Sequence, residues 1–244
     1  MSDFKSTLKD IKSHGYWTFR FDLVKPLTSR TMSHLELQQL AQENAIQLRG
    51  WDVPHVPTQP NERQDLYNIE NGIESWCNAG IQKEIWRLFF DGEFIFYVAL
   101  DEDWYENDDW LKGQAPFNSV QPKTLLNAIS SVVYEITEVF EFAKRLIAAG
   151  FFEGNIKIHA QLNGTKNRRL VVFDPGRIPL NPYYIARQDN VVAFDETIAA
   201  KDFRTNSTEL AADAVIKVFR MFQWNTANRE QIAVEQEKLF KRQF

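Results

Sequence analysis

Residues 83–100 read KEIWRLFFDGEFIFYVAL and carry the clearest β-strand pattern in the chain. Two apolar runs flank Asp91-Gly92, a dipeptide that favours two-residue hairpin turns because glycine accepts a positive φ at little cost. Both runs are apolar on both faces, which predicts two neighbouring strands at the centre of a sheet whose two faces are covered. This hairpin is the expected middle of the fold.

Further strands and helices are predicted on either side of the hairpin. Strands are expected at 14–24, 45–51, 65–78 and, as a second hairpin, 155–173. Helices are expected from a cap at Thr31 or Ser33 to about Asn44, at 125–149 as a long amphipathic helix, and in two closing segments at 207–222 and from 228. Strands and helices do not alternate regularly, so the sequence predicts an α+β fold with mainly antiparallel sheets. A boundary near 111–123 would divide a strand-rich half (1–115) from a helix-rich half (116–244), with one continuous domain as the alternative.

Composition and charge restrict the class of protein. The 244 residues carry 28 Lys and Arg against 33 Asp and Glu, a balance that argues against an isolated nucleic-acid-binding module. The single cysteine, Cys77, cannot form an internal disulfide and is expected to be a buried thiol. A polar N-terminal stretch and the lack of a long apolar run predict a cytoplasmic protein with no membrane partner.

The motifs of common enzymes are not found in the sequence. It has no phosphate-binding glycine loop, no dinucleotide fingerprint, no nucleophile elbow and no H-E-x-x-H helix. The four histidines are spread along the chain without metal-ligand spacing. These observations favour a non-enzymatic binding, sensing or accessory protein without a cofactor or a metal.

An arginine- and tryptophan-rich segment is the leading candidate for a binding site. Arginine offers planar donors for a carboxylate or a phosphate, tryptophan offers flat faces for stacking, and histidine titrates near neutrality. The candidate ligand-binding residues are Arg49, Trp51, Asp52, His55, Trp86 and Arg87. Together they predict a surface for a small anionic ligand or a protein partner. Arginine–carboxylate pairs with packed tryptophans in the scaffold are the alternative interpretation.

Residues 101–110, DEDWYENDDW, suggest a second function class. Asp101, Asp103, Glu106 and Asp109 are candidate metal ligands of a hydrolase that acts on nucleic acid or a nucleotide. In that interpretation Arg49 or Arg87 binds the phosphate, whereas the competing interpretation is a solvated acidic loop.

Three segments resemble uncharacterised bacterial proteins: RGWDVPH (49–55), EIWRLFFDGEFIFYVAL (84–100) and FRMFQWNTANREQIAVEQEKL (219–239). Those proteins share an arginine-glycine-tryptophan-aspartate-x-proline-histidine element, and some carry an added AlbA-like domain of the Schlafen type, which is linked to DNA binding. The similarity spans about residues 15–240 and implies no established activity. It leaves the association with nucleic acid open.

The high aromatic content adds one more expectation about partners. Phe, Trp and Tyr make up 14% of the chain, and exposed members of this set often anchor protein interfaces. The sequence therefore predicts a protein partner or self-association. A short basic cluster at 166–169, KNRR, is expected to be a solvated turn.

Overall fold

The fold is given by a computed structural model that describes residues 3–26, 31–57, 64–107, 120–174 and 176–243. The helices are α1 (Phe4–Lys12), α2 (His34–Asn44), α3 (Glu135–Ala148), α4 (Ala200–Met221) and α5 (Arg229–Lys241). The strands are β1 (Tyr16–Leu23), β2 (Gln64–Ile69), β3 (Gly72–Ala79), β4 (Gln82–Phe89), β5 (Glu93–Ala99), β6 (Leu125–Asn127), β7 (Asn155–Asn163), β8 (Arg169–Val171) and β9 (Asn190–Ala199). The predicted α+β class is confirmed.

One seven-stranded antiparallel sheet organises the molecule, with the order β2-β3-β4-β5-β1-β7-β9. The hairpin predicted at 83–100 forms β4 and β5, in the interior of this order as predicted, and its turn covers residues 90–92. Strand β1 pairs with β5 on one side and β7 on the other. Strands from the two predicted halves of the chain therefore lie in a single sheet.

The two faces of the sheet pack against different helices. On one face Phe21 contacts Phe140 of α3 and Phe203 of α4, with ring centroids 6.2 and 6.3 Å apart, inside the main apolar core. On the other face α1 packs Ile11 against a smaller cluster that includes Trp76. The side chain of Asp3 caps the N-terminus of α1. Because this segment is mainly polar, its sequence did not predict the helix.

Several predicted elements differ in the structure. Residues 45–51 form an irregular loop instead of a strand, closed by an isolated bridge between Ile46 and Val53. The long helix predicted from Leu125 begins with the short strand β6 and a π-helical segment (Ala128–Tyr134) before α3. Apolar spacing does not distinguish a π-helical turn from an α-helical one, so the pattern predicted a uniform helix.

The second predicted hairpin is wrong. Strand β7 pairs with β1 and β9, whereas β8 pairs in parallel with β6 in a separate two-stranded sheet. Strand β9 was missed because Pro175, Gly176, Pro179 and Pro182 made the whole region before α4 look irregular. In the ranges that the structure describes, none of the helices combines the length and the apolar composition needed to span a bilayer.

Candidate functional site

The loop between α2 and β2 carries four of the six predicted site residues. The bridge between Ile46 and Val53 closes the loop, and Gly50 at its tip has a φ of 88°. Glycine adopts this left-handed conformation without the steric penalty of other residues. Arg49 and Trp51 flank Gly50, and both line a cavity behind the loop.

Arg49 binds the start of the long helical segment. Its Nε donates to Glu138 Oε2 at 2.8 Å, and one terminal nitrogen donates to the same oxygen and to Glu135 Oε2 at 3.1 Å. Its other terminal nitrogen donates to the carbonyl oxygen of Ser130 at 3.2 Å. The guanidinium is thus engaged by two carboxylates and a carbonyl group of the protein itself. Burial alone would lower the pKa of Arg49, but the charges of Glu138 and Glu135 outweigh it and raise the pKa.

Glu84 of β4 fixes the second half of the loop. Its carboxylate accepts the Trp51 indole N–H at 3.0 Å and the His55 backbone N–H at 2.7 Å. The His55 ring stacks on Trp51 with centroids 4.1 Å apart, and its Nδ1 lies 2.7 Å from Asp52 Oδ1. Burial would raise the pKa of Asp52, but hydrogen bonds from His55 and Val56 lower it. Trp51, Asp52, His55 and Glu84 form one hydrogen-bonded unit.

Of the six predicted residues only Arg49 and Trp51 line the cavity among the described residues, and the two from β4 lie elsewhere. Trp86 is buried in the main core and donates its indole N–H to the His55 carbonyl oxygen at 2.7 Å, so it supports the loop from beneath. Arg87 is adjacent in β4 and its side chain points to the opposite face of the sheet. There it binds Glu74 at 2.7 Å and lies over the Phe4 ring, 4.0 Å from its centroid.

The cavity behind the loop has a volume of about 320 Å³. Its lining combines charged, aromatic and small polar side chains with residues from the end of β5. Its lining residues are Trp17, Arg49, Trp51, Val53, Gln82, Glu84, Val98, Ala99, Leu100, Asp101, Ser130, Ser131, Tyr134 and Glu135. This volume lies at the lower end of the range for small-molecule sites.

Acidic groups dominate the electrostatics of the cavity. Burial raises the pKa of Glu84 and of Glu135 to about 7. Burial, reinforced by the charge of Glu102, raises the pKa of Asp101 to about 8. Burial also raises the pKa of Glu138, against the attraction of Arg49. Four carboxyl groups therefore lie in or beside the cavity, two of them bonded to Arg49, and burial favours their protonated forms near neutral pH.

Two buried carboxylate oxygens in this group have no hydrogen-bond donor in the described part of the chain. They are Glu135 Oε1 and Glu138 Oε1. Glu135 is 91% buried and lines the cavity, and Glu138 is fully buried behind Arg49. A buried acceptor without a donor costs free energy, and a hydrogen-bonded cation in the cavity would remove this cost at Glu135.

The chain matches no family model, no curated protein and no solved structure. The resemblance of the RGWDVPH element to bacterial proteins stays a prediction, and the site is interpreted from its own geometry.

The acidic residues of the alternative hydrolase site lie in different surroundings. Asp101 lines the cavity, Asp103 is buried in an ion pair with Arg168, and Glu106 is exposed. Asp109 lies outside the described residues. Within the described ranges no group of three or more His, Cys, Asp and Glu side chains could hold a metal ion.

The sequence analysis missed Glu135 and Glu138 as site residues. They stand three positions apart in a segment that is otherwise apolar on its buried side, with Val139 and Phe140 beside them in the core. Residues at this spacing share one face of a helix, so two glutamates among buried neighbours could have indicated a buried charged site.

Proposed function

We propose that this chain is a binding or sensing protein whose cavity behind the Arg49–Trp51 loop takes a small organic cation. The observation that carries the proposal is the excess of buried carboxyl groups over positive charge around an open cavity. Glu84, Asp101 and Glu135 line it, and Arg49, the one lining cation among the described residues, is already bonded to two glutamates.

The aromatic lining supports the same ligand class. Trp17, Trp51 and Tyr134 each contribute to the wall. Aromatic faces attract organic cations through their quadrupole, by about 2 kcal/mol when the contact is desolvated. A cation with methyl or methylene groups would contact these rings and the apolar end of β5, and its charge would lie near the carboxylates.

An anionic ligand, the expectation from sequence, would need Arg49 as its main partner. In the structure such a ligand would have to displace Glu135 and Glu138 from the guanidinium and approach Glu84 and Asp101 as well. The ionised forms of these carboxyl groups repel an anion, so the geometry favours a ligand of the opposite charge.

Tryptophan fluorescence can test the proposal, because Trp17 and Trp51 line the cavity. We expect choline to change the emission at pH 8.5, and its uncharged isostere 3,3-dimethyl-1-butanol to leave it unchanged. Agmatine serves as a second cation with a planar charged group. If neither cation binds, or if the neutral isostere binds as well as choline, the proposal is wrong.

Variants of the cavity locate the binding. Glu135→Gln keeps the shape of the side chain and removes its charge, so we expect choline to bind about tenfold more weakly, a typical loss for one charge-assisted contact. Glu153→Gln is the matched control, because Glu153 is exposed and does not line the cavity. Equal weakening in both variants would contradict a cavity site.

The proposal also includes the other expectations from the sequence. They are a bacterial origin, a cytoplasmic location, and a protein partner or self-association, with an association with DNA as an open question. Light scattering at micromolar concentration tests the self-association, and a strictly monomeric protein would contradict it.

A further inference from the structure

A second concavity, separate from the acidic cavity, gathers positive charge. It has a volume of about 470 Å³ and lies where the end of α1, the segment before β6 and the turn after β7 meet. Lys12, Lys123 and Lys166 line it, one from each of these three segments, and we call it the lysine pocket. Its other lining residues are Ser13, His14, Tyr16, Asn163, Gly164, Arg168, Asp189 and Asn190.

A buried ion pair joins the three segments beneath the pocket. Both terminal nitrogens of Arg168 donate to the carboxylate of Asp103. The side chain of Asp103 is 1% exposed and that of Arg168 is 0% exposed. Asp103 also accepts the backbone N–H groups of Gly15 at 2.7 Å and Lys123 at 2.6 Å. Arg168 Nε donates to the carbonyl oxygen of Gly164 at 2.6 Å. The pair therefore positions every segment that carries a lysine of the pocket.

This ion pair corrects the prediction that residues 166–169 form a solvated turn. Lys166 and Arg169 are exposed, but Arg168 between them is buried and bonded to Asp103. Since the two buried charges cancel each other, the positive charge of the pocket comes from its lysines.

The three lysines keep their charge available to a ligand. Each is exposed, and none lies within 4 Å of a carboxylate among the described residues. Lys12 lies 4.9 Å from the centroid of the Tyr97 ring. Among the described residues that line the pocket, Asp189 is the one acidic side chain beside the three lysines. Burial lowers the pKa of His14.

We propose that the lysine pocket binds a small phosphate-bearing anion that carries at least two negative charges. Lysine binds phosphate as a point charge, and three lysines on separate segments fit an anion with its charge spread over more than one group. The exposed Asn190 at the wall adds an amide of the kind that orients such a ligand. This site does not depend on the proposed cation cavity: Asp101 lines the cavity, whereas Asp103 lies beneath the pocket.

Calorimetry with pyrophosphate and with ADP tests the proposal on the full chain. We expect millimolar or tighter binding of both anions at 50 mM salt, and weaker binding at 200 mM salt because the lysines are solvated. Tighter binding of ADP than of pyrophosphate would assign a nucleotide, and equal binding would assign the phosphates alone. Failure of both anions to bind, or equal affinity for sulfate and pyrophosphate, would overturn the proposal.

Single substitutions then assign the binding to the pocket. Lys12→Gln, Lys123→Gln and Lys166→Gln should each weaken pyrophosphate binding about three- to fivefold, as for a partly solvated ion pair. Lys201→Gln is the control, because Lys201 is exposed on α4 and does not line the pocket. Circular dichroism checks that each variant is folded. Unchanged affinity in all three folded pocket variants, or the same loss in Lys201→Gln, would also overturn the proposal.

Discussion

Replacement of Glu135 by glutamine is expected to stabilise the protein at high pH, which tests the electrostatics of the cavity. In the structure a carboxylate oxygen of Glu135 lies 3.1 Å from a terminal nitrogen of Arg49. If this were an exposed ion pair, removing it would be expected to lower the stability of the protein. Burial, however, raises the pKa of Glu135 from its ordinary value of 4.5 to about 7. The folded protein therefore binds a proton at this site more tightly than the unfolded chain does.

The size and sign of the effect follow from proton linkage. A carboxyl group whose pKa is raised on folding stabilises the fold below pH 4.5 and loses that contribution as the pH rises through about 7. The difference between 4.5 and about 7 corresponds to about 3 kcal/mol, at about 1.4 kcal/mol for each factor of ten in proton affinity. Glutamine has the same shape as the protonated side chain and does not carry this cost, and Arg49 keeps its bond to Glu138.

Chemical denaturation followed by tryptophan fluorescence provides the assay. The free energies of unfolding of wild type and Glu135→Gln should differ by less than about 1 kcal/mol at pH 5, whereas at pH 9 the variant should be more stable by about 3 kcal/mol. Glu153→Gln, at an exposed position, should change stability by less than about 0.5 kcal/mol at both pH values. The reasoning is refuted if Glu135→Gln is less stable than wild type by the same amount at both pH values, because the carboxylate would then be ionised throughout and the ion pair would be stabilising.

Three further substitutions test other parts of the structure. Arg168→Met leaves Asp103 as an uncompensated buried charge and should lower the free energy of unfolding by about 3–5 kcal/mol. The control Arg169→Met, at an exposed position, should change this free energy by less than about 0.5 kcal/mol. Equal effects of the two substitutions in thermal denaturation would contradict the buried pair. Gly50→Ala places a side chain at a φ of 88° and should cost about 1–2 kcal/mol in the same assay, with an unchanged melting temperature as the opposing result. Arg87→Ala should leave choline affinity unchanged in the fluorescence titration, since this side chain lies on the opposite face of the sheet, and a lost response would place Arg87 in the site.

The strongly patterned parts of the fold could be predicted from the sequence. Residues 83–100 predicted β4 and β5 because two apolar runs around a glycine turn admit few other structures. Of the two caps that the sequence offered for α2, Thr31 and Ser33, the structure has Ser33, and Asn228 caps α5 as predicted. The buried thiol of Cys77 is confirmed as well.

The sequence pattern could not predict which distant segments pair with each other. Strand β8 pairs with β6, about 40 residues earlier, and not with the neighbouring β7, and a local pattern holds no information on that choice. Strand β9 has an irregular burial pattern and lies at the edge of the sheet, so it lacks a clear alternation of apolar and polar residues.

In the candidate site too, residues near one another in the chain could be grouped from the sequence, whereas contacts from distant elements could not. The sequence grouped Arg49, Trp51, Asp52 and His55 because they are adjacent in the chain, and the structure brings them together. It also grouped Trp86 with Arg87, although adjacent residues of a strand point to opposite faces. Glu135, which contributes to the charge of the cavity, comes from another element and was not connected with the loop, whereas Asp101 was connected with Arg49 only in the alternative hydrolase site.

The most direct test of the central claim is whether binding of a cation displaces protons from the cavity carboxyl groups. Calorimetry of choline and agmatine at pH 7.5, in two buffers with different ionisation enthalpies, measures the number of protons exchanged. Since the pKa values of Glu84 and Glu135 are raised to about 7 and that of Asp101 to about 8, we expect a net release of protons on binding that is smaller in Glu135→Gln. Binding without proton release, or no binding of either cation, would contradict the account.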